Sequence, residues 1–418
     1  MILDIQDFSP KGDGRSDDTQ PIQTAIDQCS VLGGGKLCFE EGVTYVISGI
    51  QLKSNVELVL NKGTILKGSG VKEKYNRREG PFERLSNTIP LYTLIHAKGQ
   101  ENIRISGEGI IDGNYEQFSC VDALNKEHRK VQEYPRPTTI YFEDCHNTTI
   151  SGISIVDVPF WTIHMVGCID TLIEHIIIRN DLSMPNTDGI DIDRCKNTVI
   201  RQCTIITADD AICLKCTEET AAYGDLENIH VSDCHLTSIS SAVKFGSSSF
   251  GNFYNGIFEN LTISNSNRGL AFQIRDTHSV ENILFRNIKI HTQRYSDEWW
   301  GRSEPIYITI CPREENQTMG HIAHVSFEDI ECNSENSVFI YAQYHEQIHD
   351  ITFTNINLTL QEQSQYAVDE FDLRPTCISE IYRATINKEH LQPFIIESTE
   401  QIKLDKVHIT HRKETNHV

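Results

Sequence analysis

Apolar residues recur along the chain in short runs with period two, each run introduced by an Asn or Asp close to its start. The runs are ENIRISG from Glu101, NTTISGISIV from Asn147, DTLIEHIIIRN from Asp170, NTVIRQCTII from Asn197, ENIHVSDCHL from Glu227, ENLTISN from Glu259, ENILFRNIKI from Glu281, HVSFEDIEC from His324 and DITFTNINL from Asp350. Alternation rich in Ile, Val and Thr predicts strands rather than helices. Successive starts at Asn147, Asp170 and Asn197 lie 23 and 27 residues apart, a repeat length that predicts a solenoid. The Asn-Gly and Asp-Gly hairpin signals of a flat sandwich are scarce, and the LxxLxL spacing of a leucine-rich solenoid is absent. The pattern therefore predicts an all-β chain, a parallel β-helix whose inward Ile, Val, Leu, Phe and Cys stack in one continuous core. The Asn opening each run suits a turn in which side-chain amides stack or the backbone turns left-handed.

The first part of the chain differs. DDTQPIQTAIDQCSVLGGG predicts one amphipathic helix, capped by Asp18 or Thr19, with Ile22, Ala25, Ile26 and Cys29 on one face and Gly33 to Gly35 ending it. Such a helix covers the open end of a β-stack, whose strand edges are otherwise exposed. The expected organisation is one solenoid domain over residues 1–418, with a cap region over 1–35 and a C-terminal end and tail from roughly 380 to 418, in which IKLDKVHITH is the final strand.

Charge narrows the partners. The 418 residues include 37 Lys and Arg against 59 Asp and Glu, a net charge of −22. Such a chain repels phosphate backbones, so neither nucleic acid nor an anionic membrane is expected as a partner. An anionic substrate has to be held by a few local cations. No run of about 18 apolar residues is long enough to span a bilayer, and the opening MILDIQDFSPKGDG does not read as a signal peptide, so a cytoplasmic protein is expected. The 13 cysteines are odd in number, and Cys213 and Cys216 form a CxxC without a second pair. They read as buried free thiols in a reducing compartment, and neither a metal nor a cofactor is expected.

Two acidic clusters stand out: Pro185-Asn186-Thr187-Asp188-Gly189-Ile190-Asp191 and Ala208-Asp209-Asp210-Ala211-Ile212. Asp188 and Asp209 are 21 residues apart, about one solenoid turn, and adjacent coils of a parallel sheet lie about 4.8 Å apart. The spacing predicts Asp188 beside Asp209 and Asp210 on one outer face. Crowded carboxylates repel, so at least one stays protonated near neutral pH. A proton donor beside ionised carboxylates is what acid–base hydrolysis of a glycosidic bond needs. A single Asp in such a place is more often a solvated turn residue or a calcium ligand; the registration of two clusters favours chemistry.

Cations follow on later turns. Lys244 lies in SSAVKFGSSS, and Arg268 and Arg275 lie in NRGLAFQIRD; a column of them is expected to clamp a substrate carboxylate or sulfate. The bland alternative is an ion pair with a nearby Asp. Trp299 and Trp300 in RYSDEWWGRSEP either stack on a sugar or pack on the solenoid. Trp161 and His164 in PFWTIH read as structural, although His164 falls one turn before Asp188. No GxSxG elbow, HExxH, phosphate-binding loop or dinucleotide-binding GxGxxG occurs.

Together these residues resemble a family. DFSPKGDGRSDDTQPIQTAID, GGGKLCF, LKSNVELVLNKGTILKGS and GEGIIDG resemble the opening of glycoside hydrolase family 28, the polygalacturonases. PNTDGIDI and ADDAICLK match the two acid motifs of that family in order and spacing, and the likeness covers roughly residues 5 to 290. The resemblance implies a right-handed parallel β-helix and metal-free hydrolysis with inversion at the anomeric carbon. It implies Asp209 as general acid, Asp188 and Asp210 as the pair that orients and deprotonates the attacking water, and Asn186 as a substrate-binding residue. The sequence also departs from the family. Its usual Gly-His-Gly is replaced by Ser240-Ser241-Ala242, and Lys244 stands where a Ser is usual. Its Arg-Ile-Lys aligns with Ala271-Phe272-Gln273, which makes Gln273 a substrate-binding candidate beside Arg268 and Arg275. The expected function is thus a glycosidase with altered subsites, acting from one end on a pectin-derived or other uronate-containing oligosaccharide. The alternatives are a lyase or epimerase using Lys244 or Arg275 as base, and a carbohydrate-binding β-helix without catalysis.

Overall fold

The runs with period two fold as parallel strands stacked coil upon coil. The computed structural model describes residues 1–77, 92–123, 127–131, 136–297, 299–361, 364–366, 370–384, 391–399 and 401–412. Two compact units divide the chain, Met1–Ala208 and Asp209–Val418.

In the first unit, Ile105, Ile150, Ile173 and Ile200 are register partners on successive parallel strands of one sheet. Ile95, Ile140, Ile163 and Ile190 are partners on another. All eight side chains are buried, so each coil adds one apolar rung to the core. The predicted turn residues do what their chemistry allows. Asn102, Asn147, Asp170 and Asn197 have φ of 56°, 53°, 58° and 55°, a left-handed region that Asn and Asp tolerate better than branched residues. Their side chains also bridge coils: Asn147 Nδ2 donates to Asn102 Oδ1 at 2.6 Å and Asn197 Nδ2 to Asp170 Oδ1 at 2.9 Å.

The predicted helix is present as Thr19–Val31 and buries Ile22, Ala25, Ile26 and Cys29. Its cap differs from the expectation. The Asp18 carboxylate makes no side-chain bond to the helix; it accepts the amides of Lys11 at 2.6 Å and Gly12 at 3.1 Å instead. Among the glycines that end the helix, Gly34 has φ of 97°, and a Cβ there would stand 2.3 Å from the Asn55 carbonyl oxygen. Only glycine fits that approach.

In the second unit, Phe258, Phe285, Phe327 and Phe353 are register partners. Their rings stack at centroid separations of 4.9, 5.0 and 4.8 Å, the spacing of neighbouring strands. Another sheet of this unit aligns Leu214, Phe245, Phe272, Ile308, Ile340 and Ile396. Each unit is therefore a parallel β-helix. IKLDKVHITH forms the predicted last strand, Ile402–His411, parallel to Ile348–Leu360. Within the predicted C-terminal end, residues 385–390, 400 and 413–418 lie outside the described residues. Antiparallel pairs also occur among the described residues, as in Glu370–Asp372 against Ile381–Arg383 and Asn76–Arg77 against the start of the coil strand Tyr92–Lys98. The cysteines are free thiols and most are buried.

Candidate active site

The second unit begins with Asp209 and Asp210, just before the strand Ile212–Cys216. Alternation in ICLKC sends Leu214 into the apolar core, against Phe245, so Cys213 and Lys215 face the opposite way. Asp209 is 8% exposed, Asp210 1% and Lys215 5%. These are low values for charged side chains, which are buried only when paired.

Asp210 is held by three donors. Ser240 Oγ donates to its Oδ1 at 2.9 Å, the Ser241 amide to the same oxygen at 3.2 Å, and Lys244 Nζ to Oδ2 at 2.7 Å. The strand Ser241–Ser249 lies one coil on, and its register pairs Lys244 with Cys213. That register carries the Lys244 ammonium back over Asp210. Asp209 is held differently: its Oδ1 accepts the Asp210 amide at 3.0 Å, and its carbonyl accepts Ser238 Oγ at 2.7 Å.

The two adjoining acids are driven apart electrostatically. Burial, then the charge of Asp210, push the Asp209 carboxyl up to about 6, against the opposing pull of Lys244 and Lys215. Burial also disfavours the ionised form of Asp210, but Lys244 and Lys215 outweigh it, with hydrogen bonds from Lys244 and Ser240, and hold it below the ordinary carboxylate range. Burial lowers the Lys244 ammonium, yet the Asp210 charge more than offsets this and raises it. Between the two carboxyl values, Asp209 keeps its proton while Asp210 is ionised and Lys244 is charged.

In the first unit, Asn186 has φ of 60°. Arg136 donates from Nη2 to Asn186 Oδ1 at 2.9 Å and from Nη1 to the carbonyls of Pro185 at 2.9 Å and Pro159 at 3.2 Å. Thr187 Oγ1 donates to the Met184 carbonyl at 3.0 Å, and Asn180 Nδ2 to the Thr187 carbonyl at 3.2 Å. The turn before Asp188 is thus fixed by side chains, and Asp188 is 3% exposed. Its carbonyl accepts the Thr162 amide at 2.9 Å. Trp161 and His164 are buried; Trp161 stacks on Phe160 at 5.6 Å, and His164 meets Trp161 edge-on at 4.9 Å.

The column of cations is not realised. Lys244 pairs with Asp210. Arg268 is buried, bonded through Nε to Glu304 at 3.1 Å and through Nη2 to the Asp372 carbonyl at 3.0 Å, with its guanidinium 3.7 Å from the Tyr307 ring centre. Arg275 is buried too, donating to the carbonyls of Ile274 at 3.0 Å and Leu373 at 2.9 Å and to Thr309 Oγ1 at 3.0 Å. Gln273 is buried and donates to the Arg374 carbonyl. Arg268, Gln273 and Arg275 are thus bonded to the protein itself, through Glu304, Thr309 and the carbonyls of Asp372, Leu373 and Arg374, instead of forming the predicted clamp. The two tryptophans diverge. Trp299 is half-buried, its carbonyl accepting Arg302 Nη1 at 2.9 Å. Trp300 keeps 37% of its surface exposed, with Arg374 4.8 Å from its ring centre. Lys215, whose charge bears on both acids, and Ser240, which bonds Asp210, are groups to which the sequence assigned no role.

The sequence profile of glycosyl hydrolases family 28 matches residues 82–377. The chain belongs to this family. A probable polygalacturonase of Arabidopsis thaliana is 30% identical over 275 residues, 63% of this chain and 52% of that protein. An endo-polygalacturonase of Pectobacterium carotovorum is 23% identical over 351 residues, 82% of this chain and 84% of that one. The chain spans about half of the Arabidopsis relative and 61% of a probable polygalacturonase of Vitis vinifera. Among solved structures, the hyperthermoactive exopolygalacturonase of Thermotoga maritima superposes with a TM-score of 0.73 at 21% identity, covering 98% of this chain and 92% of that one. The family 28 exopolygalacturonase of Yersinia enterocolitica superposes with a TM-score of 0.66 at 16% identity, covering 100% and 78%. The fold is the right-handed parallel β-helix of family 28. Three of the residues singled out above as departures from the family motifs grip Asp210: Ser240 and Ser241 hold one oxygen and Lys244 the other.

Proposed function

We propose that this family 28 chain hydrolyses a uronate-containing oligosaccharide, acting from one end. The observation that carries the reading is a pair of adjoining buried carboxyls in unlike settings: Asp210 accepts from Ser240, Ser241 and Lys244, while burial and the Asp210 charge push the Asp209 carboxyl up. Asp209 then gives its proton to the glycosidic oxygen as the C–O bond breaks. Asp210 accepts a proton from the water whose oxygen forms the new bond to the anomeric carbon; afterwards Asp210 releases that proton to solvent and Asp209 takes one up. The anomeric centre inverts, as the acid motifs of the family imply. Asn186 and Trp300 are the residues we assign to sugar binding: one is held by Arg136 at 2.9 Å, the other keeps an exposed ring. Uronate and end-on attack draw support from relatives named as polygalacturonases and exopolygalacturonases. The test is a screen of pectic oligosaccharides with wild type and Asp209→Asn, products identified by mass. Wild type is expected to release a saturated monosaccharide from one end and Asp209→Asn to release none; identical product sets from the two proteins would remove Asp209 from the reaction.

A further inference from the structure

Lys244 is bonded to a buried acid, so its role is read from its surroundings. A carboxylate offers about four acceptor positions, two on each oxygen. On Asp210, Ser240 Oγ and the Ser241 amide occupy Oδ1, and Lys244 takes one position on Oδ2. What remains is the second position of Oδ2, beside the ammonium. A water bonded to Asp210 therefore sits next to Lys244, and it meets an oxygen whose direction Lys244 fixes.

The setting isolates this pair. In the next coil the register partner of Lys244 is Ala271, and in the previous one it is Cys213. Neither side chain competes for the ammonium as a carboxylate would. The charged and titratable groups facing the pair within this unit are Asp209, Cys213 and Lys215. Arg268, on the strand that follows, is spent on Glu304. The side chain of Lys244 is 14% exposed and that of Asp210 1%.

We propose that Lys244 is the positioning residue of the reaction: it aims Oδ2 of Asp210 at the attacking water and supplies the counter-charge that lets Asp210 act as base. It is not the grip on a substrate carboxylate. This inference rests on the hydrolytic reading above, so it is tested by two independent measurements. The first needs no substrate. In protein carrying carboxyl-labelled Asp, with Asp210 assigned by its loss in Asp210→Asn, the Asp210 carboxyl resonance is followed against pH. It is expected to stay ionised from about pH 4 to 7 in wild type, and to take up a proton within that range in Lys244→Met. Should Lys244→Met not fold, Lys244→Gln carries the same titration. The second is kinetic. Lys244→Met is expected to lower kcat about 10- to 100-fold with KM within about twofold, and to move the acid limb of the pH profile upward, while Lys244→Arg recovers part of the rate. An Asp210 titration indifferent to Lys244 overturns the proposal, as does a rise in KM at unchanged kcat. If wild type cleaves no oligosaccharide, the hydrolytic reading fails while the titration still decides what Lys244 does to Asp210.

Discussion

Replacing Asp209 by Asn should stabilise the fold at neutral pH while abolishing turnover. In the native chain burial and the neighbouring Asp210 charge move the Asp209 carboxyl from 3.8 to about 6. A carboxyl raised in the folded state favours folding only when protonated. Below its unfolded value both states carry the proton and nothing is lost. As pH rises through about 6 the folded chain must hold a buried carboxylate beside another, and the stability falls. The climb, at about 1.4 kcal/mol per pH unit, makes a penalty of about 2 to 3 kcal/mol that is complete by pH 7.5 and below about 1 kcal/mol at pH 4. Asn removes the charge while its Oδ1 keeps the acceptor that bonds the Asp210 amide at 3.0 Å in the native chain. Urea unfolding of both proteins at pH 4 and pH 7.5 reads the difference. The Asn variant should be more resistant at pH 7.5 by about that amount, with the gain nearly gone at pH 4. Equal gains at both pH values, or a less stable variant at pH 7.5, would refute the assignment of a strained, proton-holding Asp209.

Two further outcomes follow from the same charges and burials. The rate constant kcat/KM of wild type should fall about tenfold per pH unit above about pH 6, as Asp209 loses its proton; a flat profile to pH 8 contradicts its role as acid. Arg268→Met leaves Glu304 buried without the guanidinium that bonds it at 3.1 Å, and should destabilise the unit by about 3–5 kcal/mol, seen as a lower urea midpoint. Adding Glu304→Gln should recover part of that loss.

The coils were legible because their signal is local. Period-two alternation fixes which side chains face inward, and the Asn and Asp before each run announce left-handed turns, as at Asn147 and Asn197 with φ of 53° and 55°. The acid pair was legible for the same reason, since two adjacent Asp before an apolar strand admit few alternatives. The cations were not. Lys244, Arg268 and Arg275 have the right charge and nearly the right spacing for a column, but a side chain's partner depends on segments far along the chain. Glu304, Asp372 and Leu373 lie 36, 104 and 98 residues from the arginines they engage, and no repeat of 20 to 30 residues encodes those contacts. Lys215 was within reach of the pattern: alternation in ICLKC puts it opposite Leu214, on the face carrying the acids. The Asp18 side chain does not cap the helix because its carboxylate accepts the amides of Lys11 and Gly12 instead, contacts made outside the helical pattern.

The central claim is that Asp209 protonates the leaving oxygen while water attacks from the opposite face. Time-resolved proton NMR of trigalacturonate cleavage by the wild-type chain tests it most directly, because the first anomer formed is seen before mutarotation mixes the two. The account predicts that the α-linked substrate yields the β-anomer first. Initial release of the α-anomer, or of an unsaturated sugar absorbing in the near ultraviolet, contradicts it.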